Sequence, residues 1–285
     1  MVMLHYDFMQ RAFCAGGIIA LVASTLGVYL LLRRQALMAD MLSHVSLAGV
    51  AAGMYIHVNP TFAGFIVAVA GAIIVEYVRR AYKTYSEISV AIMMIGGLSS
   101  AVILMSMNKA VNKSFSSYLF GSVVAVNRTE LVLMLVVALI GFVFFYGLRK
   151  PLYLIAFDEE TARTSGLPVS WISLGFSVMT GMIAAAAMPI VGVLLVSALI
   201  VLPASLAIRI APNFASVTFI AMGIGLAGVF TGLTASYELS TPPGGTIAFM
   251  LLLFLVVGLS IKGISRSWVR RNRVQHQTME YGGFK

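Results

Sequence analysis

The chain has 285 residues, of which 60% are hydrophobic and 10% charged, with a mean hydropathy of +0.98. An ordinary soluble domain carries about 25% charged residues, so lipid is the solvent for most of this chain. The net charge of +9 does not indicate nucleic acid, because the basic residues stand in short clusters between apolar runs rather than along one face, and the single cysteine, Cys14, excludes a disulfide framework or a cysteine-based metal site.

Apolar runs fall at about 11–32, 41–57, 61–78, 88–107, 130–148, 168–187, 189–208, 213–236 and 245–262. A hydrocarbon core about 30 Å thick takes about 20 residues of helix to cross. Backbone groups left unpaired in lipid are so costly that these runs must be helices. The expected fold is therefore all-α, a polytopic membrane protein with about eight or nine transmembrane helices. That range reflects the short run at 41–57 and the stretch Ser114–Val126, which is apolar enough to dip into the membrane without crossing. The first run has no basic segment before it and no small-residue cleavage site after it, so it reads as an uncleaved helix. Basic residues mark the cytoplasmic side: Arg33 with Arg34, Arg79 with Arg80 and Lys83, Arg149 with Lys150, Arg209, and the cluster from Lys262 to Arg273. Nine crossings with the N-terminus outside satisfy all of them. Residues 1–265 form one transmembrane domain in this reading, and 266–285 a basic cytoplasmic tail.

Asp40 and His44 lie four apart on one helical face, and helical rise from Arg34 places His44 near the bilayer midplane. An aspartate inside a membrane helix costs about 2.5–3.5 kcal/mol, so it needs a partner or a purpose. A carboxylate oxygen beside an imidazole nitrogen suits zinc or manganese. Two ligands make a weak site, as transit requires, with water or another helix completing it. An Asp and His bonded to each other to cap a short helix would satisfy the same spacing. Elsewhere, His57 with Asn59 reads as a solvated loop, Glu76 as a helix-end ion pair with Arg79 and Arg80, Glu87 as a helix start, and Glu238 as an outward-facing carboxylate.

The sequence contains no Gly-x-x-x-x-Gly-Lys-Ser/Thr loop to cradle ATP. Between two apolar runs, Asp158 is placed to cap a short helix, Glu159 and Glu160 load its first turn, and Gly166 before Pro168 stops it. A short capped helix in that position can serve as a lever or merely as a joint.

The segment Leu31–Gly53, in which Asp40 and His44 follow Leu37, Met38 and Ala39, resembles the signature of the metal-ion family of bacterial ABC transporter permeases. Phe157–Gly166, Val191–Ala204 and Ser236–Ile247 match further motifs of that family in its order, so the resemblance spans nearly the whole chain. Ala48 departs from it, standing where many members carry proline. The resemblance implies that Asp40 and His44 are metal ligands, and that Asp158, Glu159, Glu160 and Gly166 belong to the segment coupling the permease to its ATPase. It also implies a second copy of the chain, cytoplasmic ATPase subunits that bind the ATP, an extracellular metal-binding protein and a bacterial cell-membrane location; no cofactor resides in the chain. The stretches Tyr6–Phe13, Leu32–Gln35 and Ser43–Gly49 look more like zinc-type permeases of Gram-positive bacteria than manganese-type ones, so zinc is the expected cargo, with manganese or iron(II) the alternative. A secondary cation transporter, with the pair relaying ions without ATP, would lack the coupling segment. An intramembrane enzyme is disfavoured by the absence of His-Glu-x-x-His.

Overall fold

A computed structural model describes the backbone of residues 6–81, 86–107, 116–122 and 126–282, and the side chains of these up to 262 other than 81 and 86. Chains in lipid must close their backbone hydrogen bonds within each segment, and among the described residues every regular element is helical. In order they are α1 (Asp7–Leu32), α2 (Leu37–Tyr55), α3 (Pro60–Ala81), α4 (Ser86–Ser106), α5 (Arg128–Gly147), α6 (Arg149–Phe157), α7 (Glu159–Thr164), α8 (Val169–Val191), a 3₁₀ turn (Val193–Leu195), α9 (Val196–Ile210), α10 (Phe214–Leu239) and α11 (Pro243–Gly282). Nine among the described residues are long and apolar enough to cross a membrane, the upper end of the expected range. The doubtful run at 41–57 is part of a 19-residue helix, about 28 Å long at helical rise. Within Ser114–Val126, residues 116–120 form a helical turn, while 114, 115 and 123–125 lie outside the described residues. The side chains of the basic tail lie outside them too, as does Lys83.

Helices α1, α2 and α8 are the most enclosed, and α4, α10 and α11 the least. Helix α2 packs most closely against α3 and α4, where glycines leave room for its backbone and for its valine side chains. A Cβ on Gly97 of α4 would lie 2.9 Å from the Val45 Cα and 3.1 Å from the His44 carbonyl carbon. On α3, a Cβ on Gly71 would lie 2.6 Å from a Val45 methyl, and one on Gly64 2.7 Å from a Val50 methyl.

The two ends of the bundle differ in kind. At one end the basic clusters meet: the Arg33 guanidinium donates to the Ser173 hydroxyl at 2.7 Å, Arg80 donates to the Ser170 carbonyl and Lys262 to the Arg209 carbonyl. This is the cytoplasmic end by the positive-inside rule. At the other end the Ser122 amide donates to the Pro189 carbonyl at 3.0 Å. There, a Cβ on Gly244 would overlap the Val191 carbonyl oxygen, and one on Gly192 the Leu119 carbonyl oxygen. Three connections, from residues 116–122, from α8 to α9 and from α10 to α11, thus touch backbone to backbone.

The boundary between two runs also differs from the sequence reading, which split them at Pro189. That proline lies inside α8, near its end, and the chain turns at Gly192 with φ +82°. Proline lacks a donor and crowds the carbonyl four residues back, so the helix ends within three residues of it; the positive φ at the turn needs glycine.

Candidate metal site and coupling segment

Asp40 lies in the first turn of α2, where the positive end of the helix favours a carboxylate. It does not cap the helix: the N-cap is Ala36, with no side-chain hydrogen bond. His44 follows one turn later and is 8% exposed. Its Nε2 lies 4.0 Å from Asp40 Oδ2, beyond hydrogen-bond range, so the two are juxtaposed without being bonded. His44 Nδ1 is buried with no hydrogen-bond partner among the described residues, and no third His, Cys, Asp or Glu joins them there. The chain leaves the helical path between Arg33 and Ala36, so the rise counts from Leu37, and His44 sits about 10 Å along a helix of about 28 Å.

The other sequence candidates fall elsewhere. His57 is exposed in the outer loop at φ +58°. Asn59 caps α3, its side chain accepting from the Thr61 amide at 3.0 Å. Glu238 is exposed in the last turn of α10, at its outer end, and Glu87 is exposed at the start of α4.

Glu76 forms the expected helix-end pair, at 2.9 Å from Arg79 and 3.5 Å from Arg80, and it also accepts from the Ser177 hydroxyl at 2.9 Å. Its side chain is 2% exposed. With Ser170, Ser173 and Ser177 on one face of α8, this cluster ties α3 and the Arg33 corner to α8. The Arg33 side chain also lies over the Phe176 ring, 4.7 Å from its centroid. Burial, and then the nearby Arg79 charge, push the Arg33 guanidinium down to about 10, against the pull of Glu76 and of Glu159 on α7.

The segment after α6 has the local structure its residues predict. The Asp158 carboxylate accepts from the Glu160 and Thr161 amides, each at 3.0 Å, and from the Thr161 hydroxyl. That hydroxyl and those amides hold the Asp158 carboxyl below the usual range. A depressed acid contributes at every pH above its ordinary value and is lost only as pH falls through the lowered one, so this cap is intact at neutral pH. Glu159 pairs with Arg163 at 3.0 Å, Gly166 takes φ +80°, and Ala162 is buried while its charged neighbours face outward.

Sequence reasoning overlooked Glu130, a carboxylate only 7% exposed at the outer start of α5. It accepts from the Thr61 hydroxyl at 3.0 Å and from the Asn127 amide at 3.1 Å, while the Asn127 side chain accepts from its amide at 2.9 Å. The Tyr118 hydroxyl lies 3.4 Å from Thr61; burial raises the Tyr118 pKa, with the Thr61 bond opposing. Asn127 three residues before Glu130, ahead of an apolar run, is a capping-box signal that was there to be read.

Nine apolar helices among the described residues, an ionisable pair on an enclosed one and a short capped helix at the basic end define a multi-pass transport protein of the cell membrane. The chain belongs to the ABC 3 transport family, which matches residues 5–262 and comprises metal transport permeases. It is 34% identical over 271 residues to a probable metal transport system membrane protein of Treponema pallidum, covering 93% of this chain and 100% of the relative. It is 25% identical to the manganese import system permease protein ScaB of Streptococcus gordonii, over 90% of this chain and 93% of that one. Its fold superposes on PsaBC from Streptococcus pneumoniae in complex with Fab with a TM-score of 0.79, at 25% identity over 90% of this chain and 92% of the other.

Proposed function

We propose that this chain is the membrane permease of an ATP-driven importer for a divalent transition metal, with zinc as the cargo. The observation that carries the reading is the Asp40–His44 pair, juxtaposed at 4.0 Å with an unpartnered imidazole nitrogen on an enclosed helix, in a member of a metal transport family. A metal held about 2.1 Å from each ligand spans a gap of up to about 4.2 Å, so a slight side-chain rotation brings both atoms to a tetrahedral angle. Water or a second copy of the chain supplies the remaining ligands. A carboxylate oxygen and an imidazole nitrogen, rather than sulfur, are the donors of the pair, so copper(I) is disfavoured. Residues 157–168, with Asp158, Glu159, Glu160 and Gly166, form the docking segment for a separate ATPase. Two copies of the permease, two ATPases and an external metal-binding protein make up the assembly.

Zinc is supported by the resemblance of Tyr6–Phe13, Leu32–Gln35 and Ser43–Gly49 to zinc-type permeases. Manganese is the second reading, favoured by the name of the Streptococcus gordonii relative. Loss of the gene is expected to slow growth in zinc-chelated medium and lower cellular zinc, with added zinc restoring both. Rescue by manganese alone would move the chain to the second reading.

The docking segment is tested separately. A cysteine at position 160, in a background lacking Cys14, is expected to cross-link to the ATPase from the cytoplasmic side. Labelling of that position from outside intact cells would overturn both the orientation and the docking role.

A further inference from the structure

A groove of about 1030 Å³ lies between α1, α5, α6 and α10, and no residue of α2 lines it. Along α1 its lining runs from Ile18 to Tyr29, a separation of eleven residues (29 − 18), or about 16 Å of helix. That is half of a hydrocarbon core about 30 Å thick. It is the inner half, because Tyr29 is one turn from the Arg33 corner and the groove ends at Arg149 and Lys150.

Polarity is graded along this length. Ile18, Leu21, Ala138 and Met222 line the deep end, whereas Tyr146, Arg149, Lys150 and Tyr153 line the cytoplasmic end. The walls are braced by aromatic contacts: Tyr29 stacks on Phe145 with centroids 5.5 Å apart, and Tyr153 meets Phe214 edge-on at 4.9 Å. The rim residues Phe142, Tyr146 and Phe219 are exposed. Arg149 and Lys150 are exposed too, and neither makes an ion pair or hydrogen bond among the described residues.

We propose that this groove binds one anionic phospholipid of the inner leaflet, an acyl chain lying between Phe142 and Phe219 and the phosphate held by Arg149 and Lys150. The length of one leaflet, the apolar deep end and two unpaired cations at the headgroup level are together the shape of that molecule. A helix from a second copy would cover the apolar walls and leave both cations unmatched. Arginine presents a fork of donors that suits phosphate oxygens, and a zwitterionic headgroup sets its own ammonium against the same cations. The cations open α6, which leads through Asp158 into α7, so the bound lipid would brace the docking segment.

The test uses the full-length permease, stripped of lipid in detergent and offered phosphatidylglycerol or phosphatidylethanolamine of matched chains, with retained lipid counted by native mass spectrometry. Phosphatidylglycerol is expected to be retained at least tenfold more tightly, at about fivefold per cation, and Arg149→Ala with Lys150→Ala should erase the preference. A photoreactive benzophenone side chain at position 142, in the otherwise unaltered protein in membranes, should capture phospholipid on illumination. Equal retention of the two lipids, a double variant that keeps the preference, or capture of a second copy of the chain from position 142 would each overturn the assignment.

Discussion

Replacing Asp40 or His44 by alanine is expected to cut metal uptake by about a hundredfold or more, the scale on which metal sites respond to loss of a supporting group, while the protein still inserts and still binds its ATPase. The two side chains are the only His, Cys, Asp or Glu ligands available to each other among the described residues, so each variant leaves a single donor. Neither change should harm folding. Asp40 has a side chain 28% exposed, lies 4.0 Å from its neighbour and accepts no hydrogen bond among the described residues; His44 Nδ1 has no partner to lose. Removing a carboxylate from the membrane relieves an insertion cost rather than adding one. Uptake of radioactive zinc and manganese by cells carrying each variant, beside pull-down of the ATPase, provides the check. Near-normal uptake of both metals would remove the pair from the pathway.

Glu76→Ala is expected to be the most destabilising change at the cytoplasmic end. The side chain is 2% exposed and serves Arg79, Arg80 and Ser177 together. Removing one member of a buried pair costs about 3–5 kcal/mol because the other charge is left uncompensated. Here the Arg80 side chain is 46% exposed and can rehydrate, so about 2–3 kcal/mol is the expected loss. For a chain of this size that corresponds to a fall of roughly 3–5 °C in Tm. Glu159→Ala provides the contrast. Its pair with Arg163 has side chains 52% and 65% exposed, and such pairs contribute about 0.5 kcal/mol or less. Melting curves of the three proteins in one detergent decide the matter: equal Tm values for the two variants would show that the Glu76 cluster is not a stabilising joint.

The spans were legible because lipid imposes one rule on every segment, and runs such as 88–107 and 130–148 contain few charges to obscure it. Helix α2 was the hardest to bound because Asp40 interrupts its apolar start, hiding a first turn that begins at Leu37. The same interruption is what drew attention to the pair, so the functional signal blurred the structural one. The α8 boundary was misplaced because proline is the louder breaker in sequence, whereas the turn depends on a positive φ at Gly192 that only geometry reveals. The capping of α7 was readable since Asp158, Glu160 and Thr161 are neighbours in the chain. The partnership of Glu130 with Thr61 was not, because it closes across 69 residues. Metal identity was least legible of all, since one nitrogen and one oxygen donor suit several ions.

The close approach of α2 to its neighbours has a mechanical consequence. With Gly97 admitting the α2 backbone, and Gly64 and Gly71 the Val50 and Val45 side chains, rotating or sliding α2 would drive Val45 and Val50 into α3 and α4, which packed interiors resist. Helix α2 is therefore expected to act as a stator, keeping its place against α3 and α4 while the helices on its other side move. A spin-label distance from α2 to α3 that changed on ATP binding would contradict this. Cargo would then cross not by being carried, but by having the walls around it exchanged.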